Sequence, residues 1–227
     1  MPENKIHPYL AQLGVVGVGH IEVSTPRGIR HVPHWADTGT LATAPAQLRT
    51  LARMMAEQML SILGSDRRTT IVTHDNYAAN MFGGMLAAEL ETVLTNGRLT
   101  TATIQVVDRR RTITNGIRHY TAAERIIVAD IAAYSMETLQ YLLAGVVSDR
   151  QFEKRALPEL LAVTLLRLGN THRAPEIGVR GRADPVRLII GSDIPTQEYS
   201  PPGYCPLCKD GKALTHTISN TTGLKSL

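Results

Sequence analysis

The sequence has few aromatic residues, almost no cysteine and no long apolar run. Phe, Trp and Tyr make up 4% of its 227 residues, too few for a surface that stacks successive bases, which argues against a single-strand nucleic-acid binder of that kind. Its two cysteines, Cys205 and Cys208, stand too close together to staple a large fold, so a reducing compartment is expected and stability is left to packing. No stretch approaches the roughly 18 to 20 apolar residues of a membrane span, and the opening MPENKIHPYL lacks the basic-then-apolar order of a signal peptide. A cytoplasmic protein with no membrane partner is expected. There is no internal repeat and no low-complexity linker.

At 43% hydrophobic residues, the chain suits one compact domain with a small appendage. A net charge of +4 permits nucleic acid but suits a small polyanion equally well. Nucleic-acid binding has only charge behind it, and steep salt dependence would be its signature.

Leu48, Leu51, Met55, Met59 and Leu60 recur at helical spacing, with Pro45 near the start and Gly64 just past the end, predicting a helix over 45–63. The strand RTTIVTH follows, then the helix NYAANMFGGMLAAELETVL in spite of Gly83 and Gly84, then the strand TATIQVVD. After the polar stretch DRRRTITNGIRHYTAAE comes RIIVADI, apolar on both faces as central parallel strands are, and the helix SMETLQYLLAGVV. A further helix is expected across FEKRALPELLAVTLLRLG, broken or started by Pro158, and PVRLIIGSD reads as a late strand. The alternation predicts an α/β fold, a parallel sheet flanked by helices, with ligand sites at the carboxyl ends of its strands. Those ends fall at Thr73 to Asn76, at Asp108 onward, and at Asp130 to Thr138.

Asp130 is a lone acid where a buried strand gives way to a helix. It could accept hydrogen bonds from vicinal sugar hydroxyls or hold a Mg²⁺ shell, while the helix N-terminus, with Ser135 and Thr138, favours a phosphate. Caps and turn formers at the same junction are the competing reading.

RIIVADIAAYSMET, residues 125–138, resembles the diphosphoribose-binding signature of type I phosphoribosyltransferases. GVGHIEVSTPRGIRHVPHWADTGTL, residues 17–41, is similar to the N-terminal hood of the orotate phosphoribosyltransferase branch, and YSPPGYCPLCKDGKAL, residues 199–214, to a C-terminal segment of some of its members. The resemblance implies a type I phosphoribosyltransferase fold with a hood and N-terminal segment over 1–40, an α/β core over 41–195, and a C-terminal hood or tail over 196–227. It implies binding of 5-phosphoribosyl 1-diphosphate or a nucleotide with Mg²⁺, transfer of phosphoribosyl to a nitrogen acceptor, and a homodimer.

Residue by residue, the same resemblance gives Asp130 the ribose hydroxyls or Mg²⁺, and Ser135 and Thr138 the 5-phosphate. Thr73, His74 and Asp75 fall in the pyrophosphate loop. Arg109, Arg110, Arg111, Arg118 and His119 fall in a mobile catalytic loop, where Arg in particular can fork onto phosphate oxygens; a solvated basic turn is the alternative. His20, Ser24, Arg27, His31 and His34 face the acceptor from the hood.

The donor-binding loops are degenerate. Ala129 stands where the family has the first of two acids, and Ala133 to Glu137 replace a Thr- and Gly-rich loop whose glycines let backbone N–H groups close on phosphate. An ionised Asp75 would repel pyrophosphate unless Mg²⁺ or His74 screened it. In the hood, Ser24 replaces a basic residue, which counts against orotate itself as the acceptor. A non-catalytic relative that binds a nucleotide or a protein partner is therefore the second reading. Finally, Cys205 and Cys208 have the spacing of half a zinc site, with His216 eight residues on; no second pair follows, and a turn with two free thiols is favoured over zinc, unless a dimer completes the site.

Overall fold

Ile126, Ile127 and Val128 are consecutive and have no exposed surface at all. A strand turns successive side chains to opposite faces, so such a run can be buried only in a sheet covered on both sides. The computed structural model describes residues 5–25, 28–63, 67–93, 99–107, 110–113, 123–133, 136–152, 157–169, 175–195, 204–219 and 223–226. In chain order its elements are α1 (Ile6–Gln12), β1 (Val16–Thr25), β2 (Gly28–Ala36), α2 (Thr38–Thr43), α3 (Pro45–Leu60), β3 (Thr69–His74), α4 (Tyr77–Val93), β4 (Leu99–Val107), β5 (Arg110–Ile113), β6 (Arg125–Ala133), α5 (Glu137–Phe152), β7 (Glu159–Gly169), β8 (Glu176–Ile177), β9 (Val186–Pro195), α6 (Pro206–Lys209), β10 (His216–Ser219) and β11 (Gly223–Ser226).

The main sheet has the order β5-β4-β3-β6-β7-β9-β8. Its inner strands, β4, β3, β6, β7 and β9, pair in parallel, and the antiparallel β5 and β8 close its edges. Ile127, Ala129 and Ile131 of β6 join a core with α1, α3 and α4, while Ile126 and Val128 join a second core with α5 on the opposite face. The α/β architecture read from the sequence, a parallel sheet flanked by helices, is the one found.

In α3, Leu48, Leu51, Ala52, Met55, Ala56 and Met59 are the buried residues, one stripe at helical spacing, and Pro45 occupies its first turn, where a missing N–H costs nothing. Gly83 lies where α4 crosses β3: a Cβ there would come within 2.2 Å of the Thr73 methyl, so the helix approaches the sheet only because that position carries no side chain.

One expectation is overturned. The second part of the helix predicted across FEKRALPELLAVTLLRLG is the strand β7. Leu and Ala favour helices in isolation, but Leu160 to Leu168 are buried without a polar face, and the space between β6 and β9 requires an extended chain that hydrogen-bonds to both neighbours. Pro158 precedes the strand, where its missing N–H disturbs no ladder.

A second sheet, of order β11-β10-β1-β2, brings the N-terminal hairpin and the C-terminal strands together. β1 pairs antiparallel with β2 and parallel with β10. Ile21, Val23 and Val32 form its small core beside Trp35. Its register shifts between Val18 and Ile21, a bulge at Gly19 and His20.

Candidate functional site

From β3 the chain runs through α4 to β4 on one side, and from β6 through α5 to β7 on the other. Adjacent strands whose connections depart in opposite directions leave a crevice at their carboxyl ends, the place where open α/β sheets bind ligands. Here that crevice lies between the end of β3, at His74, and the end of β6, at Asp130 to Ala133.

Asp130 is 9% exposed. Its Oδ1 accepts a hydrogen bond of 2.8 Å from the Ile131 N–H. Burial pushes its pKa up to about 7, against the pull of the Ile131 and Ala132 N–H groups. It stands in register with Thr164 of β7, a fully buried residue whose hydroxyl donates to the Leu166 carbonyl at 3.0 Å. Beyond β6, Met136 has φ 61, the one non-glycine positive φ among the described residues. Holding a side chain in the left-handed region costs roughly 1–2 kcal/mol, and strain of that kind concentrates at functional turns. Met136 leads directly into α5, and its carbonyl accepts from the Gln140 N–H at 2.9 Å. Glu137 and the half-exposed Thr138 occupy the first turn of that helix.

At β3, Thr73 is buried and its hydroxyl donates to Oδ1 of Asn80. His74 Nδ1 accepts from the Asn76 N–H at 3.0 Å and lies 3.4 Å from the Asp75 carboxylate. Burial lowers the His74 pKa and Asp75 partly raises it again. Asn76 caps α4, its Oδ1 accepting from Ala78 N–H at 2.9 Å and Ala79 N–H at 3.4 Å. This turn is thus held as a helix cap, with His74 and Asp75 at its surface.

Among the predicted loop residues, Arg109, Arg118 and His119 lie outside the described residues, as do Ser135 and Arg27. Arg110 and Arg111 lie in β5, antiparallel to the end of β4. Ser24 is a half-exposed residue of β1 whose backbone pairs with Ile29.

His20 and His31 lie on the paired strands β1 and β2. Both are buried, at 4% and 5% exposure, and they converge with Cys205 and Cys208 so that one ligand atom of each lies within 4.8 Å of the others. His20 Nε2 is 2.8 Å from His31 Nδ1, 3.5 Å from Cys208 Sγ and 3.6 Å from Cys205 Sγ; His31 Nδ1 is 3.2 Å from Cys208 Sγ. On their outer sides, His20 Nδ1 donates to the Lys212 carbonyl at 2.7 Å, and His31 Nε2 faces the Glu22 carboxylate at 3.7 Å. Burial and the neighbouring His20 push the His31 pKa down, while burial and Cys205 push the Cys208 thiol up. Both cysteines are free thiols, as expected, and two further donor atoms come to them from the β1–β2 hairpin. His34 Nδ1 is buried without a hydrogen-bond partner among the described residues.

Sequence reasoning passed over Arg167, a buried arginine at the carboxyl end of β7, in register with Ala133. It forks onto Asp193 of β9, Nε to Oδ1 at 3.0 Å and a second bond to Oδ2. Like Asp130, it is a lone charge inside an apolar run, and that is the signal that could have found it.

The chain matches no family model and no curated protein sequence. Solved structures it resembles include a hypoxanthine-guanine-xanthine phosphoribosyltransferase, at TM-score 0.40 and 14% identity over 66% of this chain and 76% of that one. Another is a hypoxanthine phosphoribosyltransferase from Trypanosoma cruzi in complex with the product IMP, at TM-score 0.41 and 16% identity over 66% and 77%. A hypothetical protein from Neisseria gonorrhoeae with bound ppGpp gives TM-score 0.41 and 11% identity over 66% and 80%. Likeness at this level assigns no residue a role.

Proposed function

We propose that the protein binds a phosphorylated ribose, as 5-phosphoribosyl 1-diphosphate or a nucleotide, at the carboxyl ends of β3 and β6, and transfers phosphoribosyl to a nitrogen acceptor in the manner of a type I phosphoribosyltransferase. The observation that carries this reading is Asp130. A carboxyl buried at the switch point of a parallel sheet, with only backbone N–H groups among the described residues to favour its charge, costs stability where it stands. Ribose hydroxyls donating to it, or a cation beside it, would supply what the fold withholds.

Mg²⁺ fits this donor set. It is commonly held by one or two carboxylates plus substrate oxygens, and Asp130 offers one carboxylate whose charge is otherwise poorly compensated. When bound, Mg²⁺ would offset the charge of the departing pyrophosphate. The residues of the chain have separate tasks in this reading. Asp130 orients the ribose, while Thr138 and the first N–H groups of α5 receive the 5-phosphate. The basic stretch after β4 has the task of meeting the leaving group, where a forked guanidinium is suited to two phosphate oxygens. A homodimer, with one chain's basic loop reaching the other's site, belongs to the same reading.

A specific observation favours the second reading, a nucleotide- or partner-binding subunit without catalysis. Asn76 already uses two N–H groups of the α4 N-terminus that a pyrophosphate would need, and Ala129 is buried apolar core where a second acid would stand. Calorimetric titration separates the two. The active transferase binds 5-phosphoribosyl 1-diphosphate more tightly with Mg²⁺, loses at least tenfold in affinity on Asp130→Asn, and releases pyrophosphate with an acceptor. The subunit binds ribose 5-phosphate or a nucleoside monophosphate alone. Unchanged affinity in Asp130→Asn would remove Asp130 from either site.

A further inference from the structure

We propose that His20, His31, Cys205 and Cys208 form a structural tetrahedral zinc site that clamps the β1–β2 hairpin to the C-terminal segment. Four donors of mixed nitrogen and sulfur, drawn from distant parts of the chain to one point, three of them buried and Cys208 half-buried, are the donor set of closed zinc sites. Two thiolates and two neutral imidazoles around a dication make a neutral unit, which a buried position tolerates. Binding would displace the two thiol protons.

The nitrogen–sulfur spacings suit such an ion. Bonds of about 2.3 Å to sulfur and about 2.05 Å to nitrogen in a tetrahedron give edges of about 3.4 Å between nitrogens, about 3.6 Å between nitrogen and sulfur and about 3.8 Å between sulfurs. Three of the four nitrogen–sulfur separations are 3.2, 3.5 and 3.6 Å, and the nitrogen pair, at 2.8 Å, would have to open by about 0.6 Å to reach the tetrahedral edge.

Second, the outer ring nitrogens set the tautomers. A carbonyl only accepts, so His20 donates from Nδ1 to Lys212 and turns the bare Nε2 lone pair into the cluster. The Glu22 carboxylate faces Nε2 of His31 and favours the proton there, which leaves Nδ1 bare as well. Two bare nitrogens at 2.8 Å repel unless a cation or proton lies between them. A histidine oriented by a carboxylate or carbonyl on its far nitrogen is the usual outer arrangement of metal-bound imidazole.

Third, the backbone is built to present these atoms. The bulge at Gly19 and His20 aims the His20 ring. Around the cysteines, Lys209 N–H returns to the Cys205 carbonyl at 3.1 Å and Gly211 N–H to the Cys208 carbonyl at 3.0 Å, with Gly211 at φ 67. One tight turn therefore supplies both sulfurs and, through Lys212, the carbonyl that orients His20. Thr215 N–H fastens the next residues to the His20 carbonyl at 2.7 Å.

The test is metal analysis of the full chain purified in zinc-sufficient medium. About one zinc per chain is expected, with both thiols unreactive to a disulfide reagent until a strong chelator is added. Cobalt(II) added to the stripped protein should give the intense visible absorption of a tetrahedral cobalt thiolate, lost in Cys208→Ser and kept in His216→Ala. Where Cys208→Ser does not fold, Glu22→Gln serves instead: it leaves the four donors in place and should lower metal affinity tenfold to a hundredfold. Freely reactive thiols without bound metal, or cobalt bound equally by Cys208→Ser, would overturn the proposal and leave a proton-bridged imidazole–thiol cluster.

Discussion

Replacing Asp130 by Asn should make the protein more stable at neutral pH and abolish a specific part of its pH dependence. The carboxyl moves from an ordinary value of 3.8 to about 7 in the folded chain, roughly three pH units at about 1.4 kcal/mol each, or on the order of 4 kcal/mol when the change is complete. Folding favours the protonated form, so between those two values the folded chain binds more protons than the unfolded one, and stability falls as pH rises through that window. Of the total, about 2–3 kcal/mol falls between about pH 5 and about pH 8. Asn keeps the shape and one carbonyl acceptor for the Ile131 N–H, and it cannot ionise. Urea unfolding of both proteins at those two pH values reads the effect, and subtracting the curves cancels the titration of every other group. The variant should gain on the wild type by about that amount at the higher pH. A difference that does not change with pH would refute the assignment of a desolvated, titrating acid to position 130. The same substitution should cost ligand affinity, so the two measurements together would identify an acid kept for function at the expense of stability.

Two further outcomes follow from packing and assembly. Gly83→Ala should destabilise by about 1–3 kcal/mol, since its methyl would meet the Thr73 side chain beside the crevice, while Gly84→Ala, which meets nothing within 4 Å, should stabilise by up to about 1 kcal/mol; thermal melts of the pair read the contrast, and equal effects would contradict the α4–β3 packing. Light scattering should give the mass of a homodimer at working concentration, and a monomer would count against a site shared between chains.

What the sequence made legible was whatever is local. RIIVADI betrays itself as a central strand because both faces are apolar, and Asp130 stands out against that background. The stripe of α3 is equally plain. β7 was misread because ELLAVTLLRLG is as good a helix by propensity as a strand by burial, and only the neighbours β6 and β9 decide between them. The donors around Cys205 and Cys208 were missed for a different reason. A metal motif is ordinarily recognised by short spacings, whereas His20 and Cys208 stand 188 residues apart and meet only because β1 takes β10 as a neighbour. The hood histidines and the cysteine turn were each noticed; their meeting depends on topology.

A single physical criterion separates the buried polar groups of this chain. Glu89 lies beneath Arg49 and Arg53, at 2.7 and 3.0 Å, and those charged donors hold its carboxyl below the usual range. Arg125 meets Glu159 at 2.7 Å, Arg167 forks onto Asp193, and Thr73 bonds Asn80. In each, partners within the chain compensate what burial removed, and holding the fold together accounts for them. Asp130 has donors too, yet they are uncharged N–H groups, and its pKa moves the opposite way from that of Glu89. His20 and His31 turn two bare nitrogens toward each other and toward two thiols. These groups are arranged as acceptors, and among the described residues only uncharged backbone N–H groups and weak S–H donors face them. The criterion thus sets apart the two places proposed as sites, and they differ in kind: an occupant at Asp130, at the ends of two strands, would come and go, whereas a metal held by the four donors would become part of the fold.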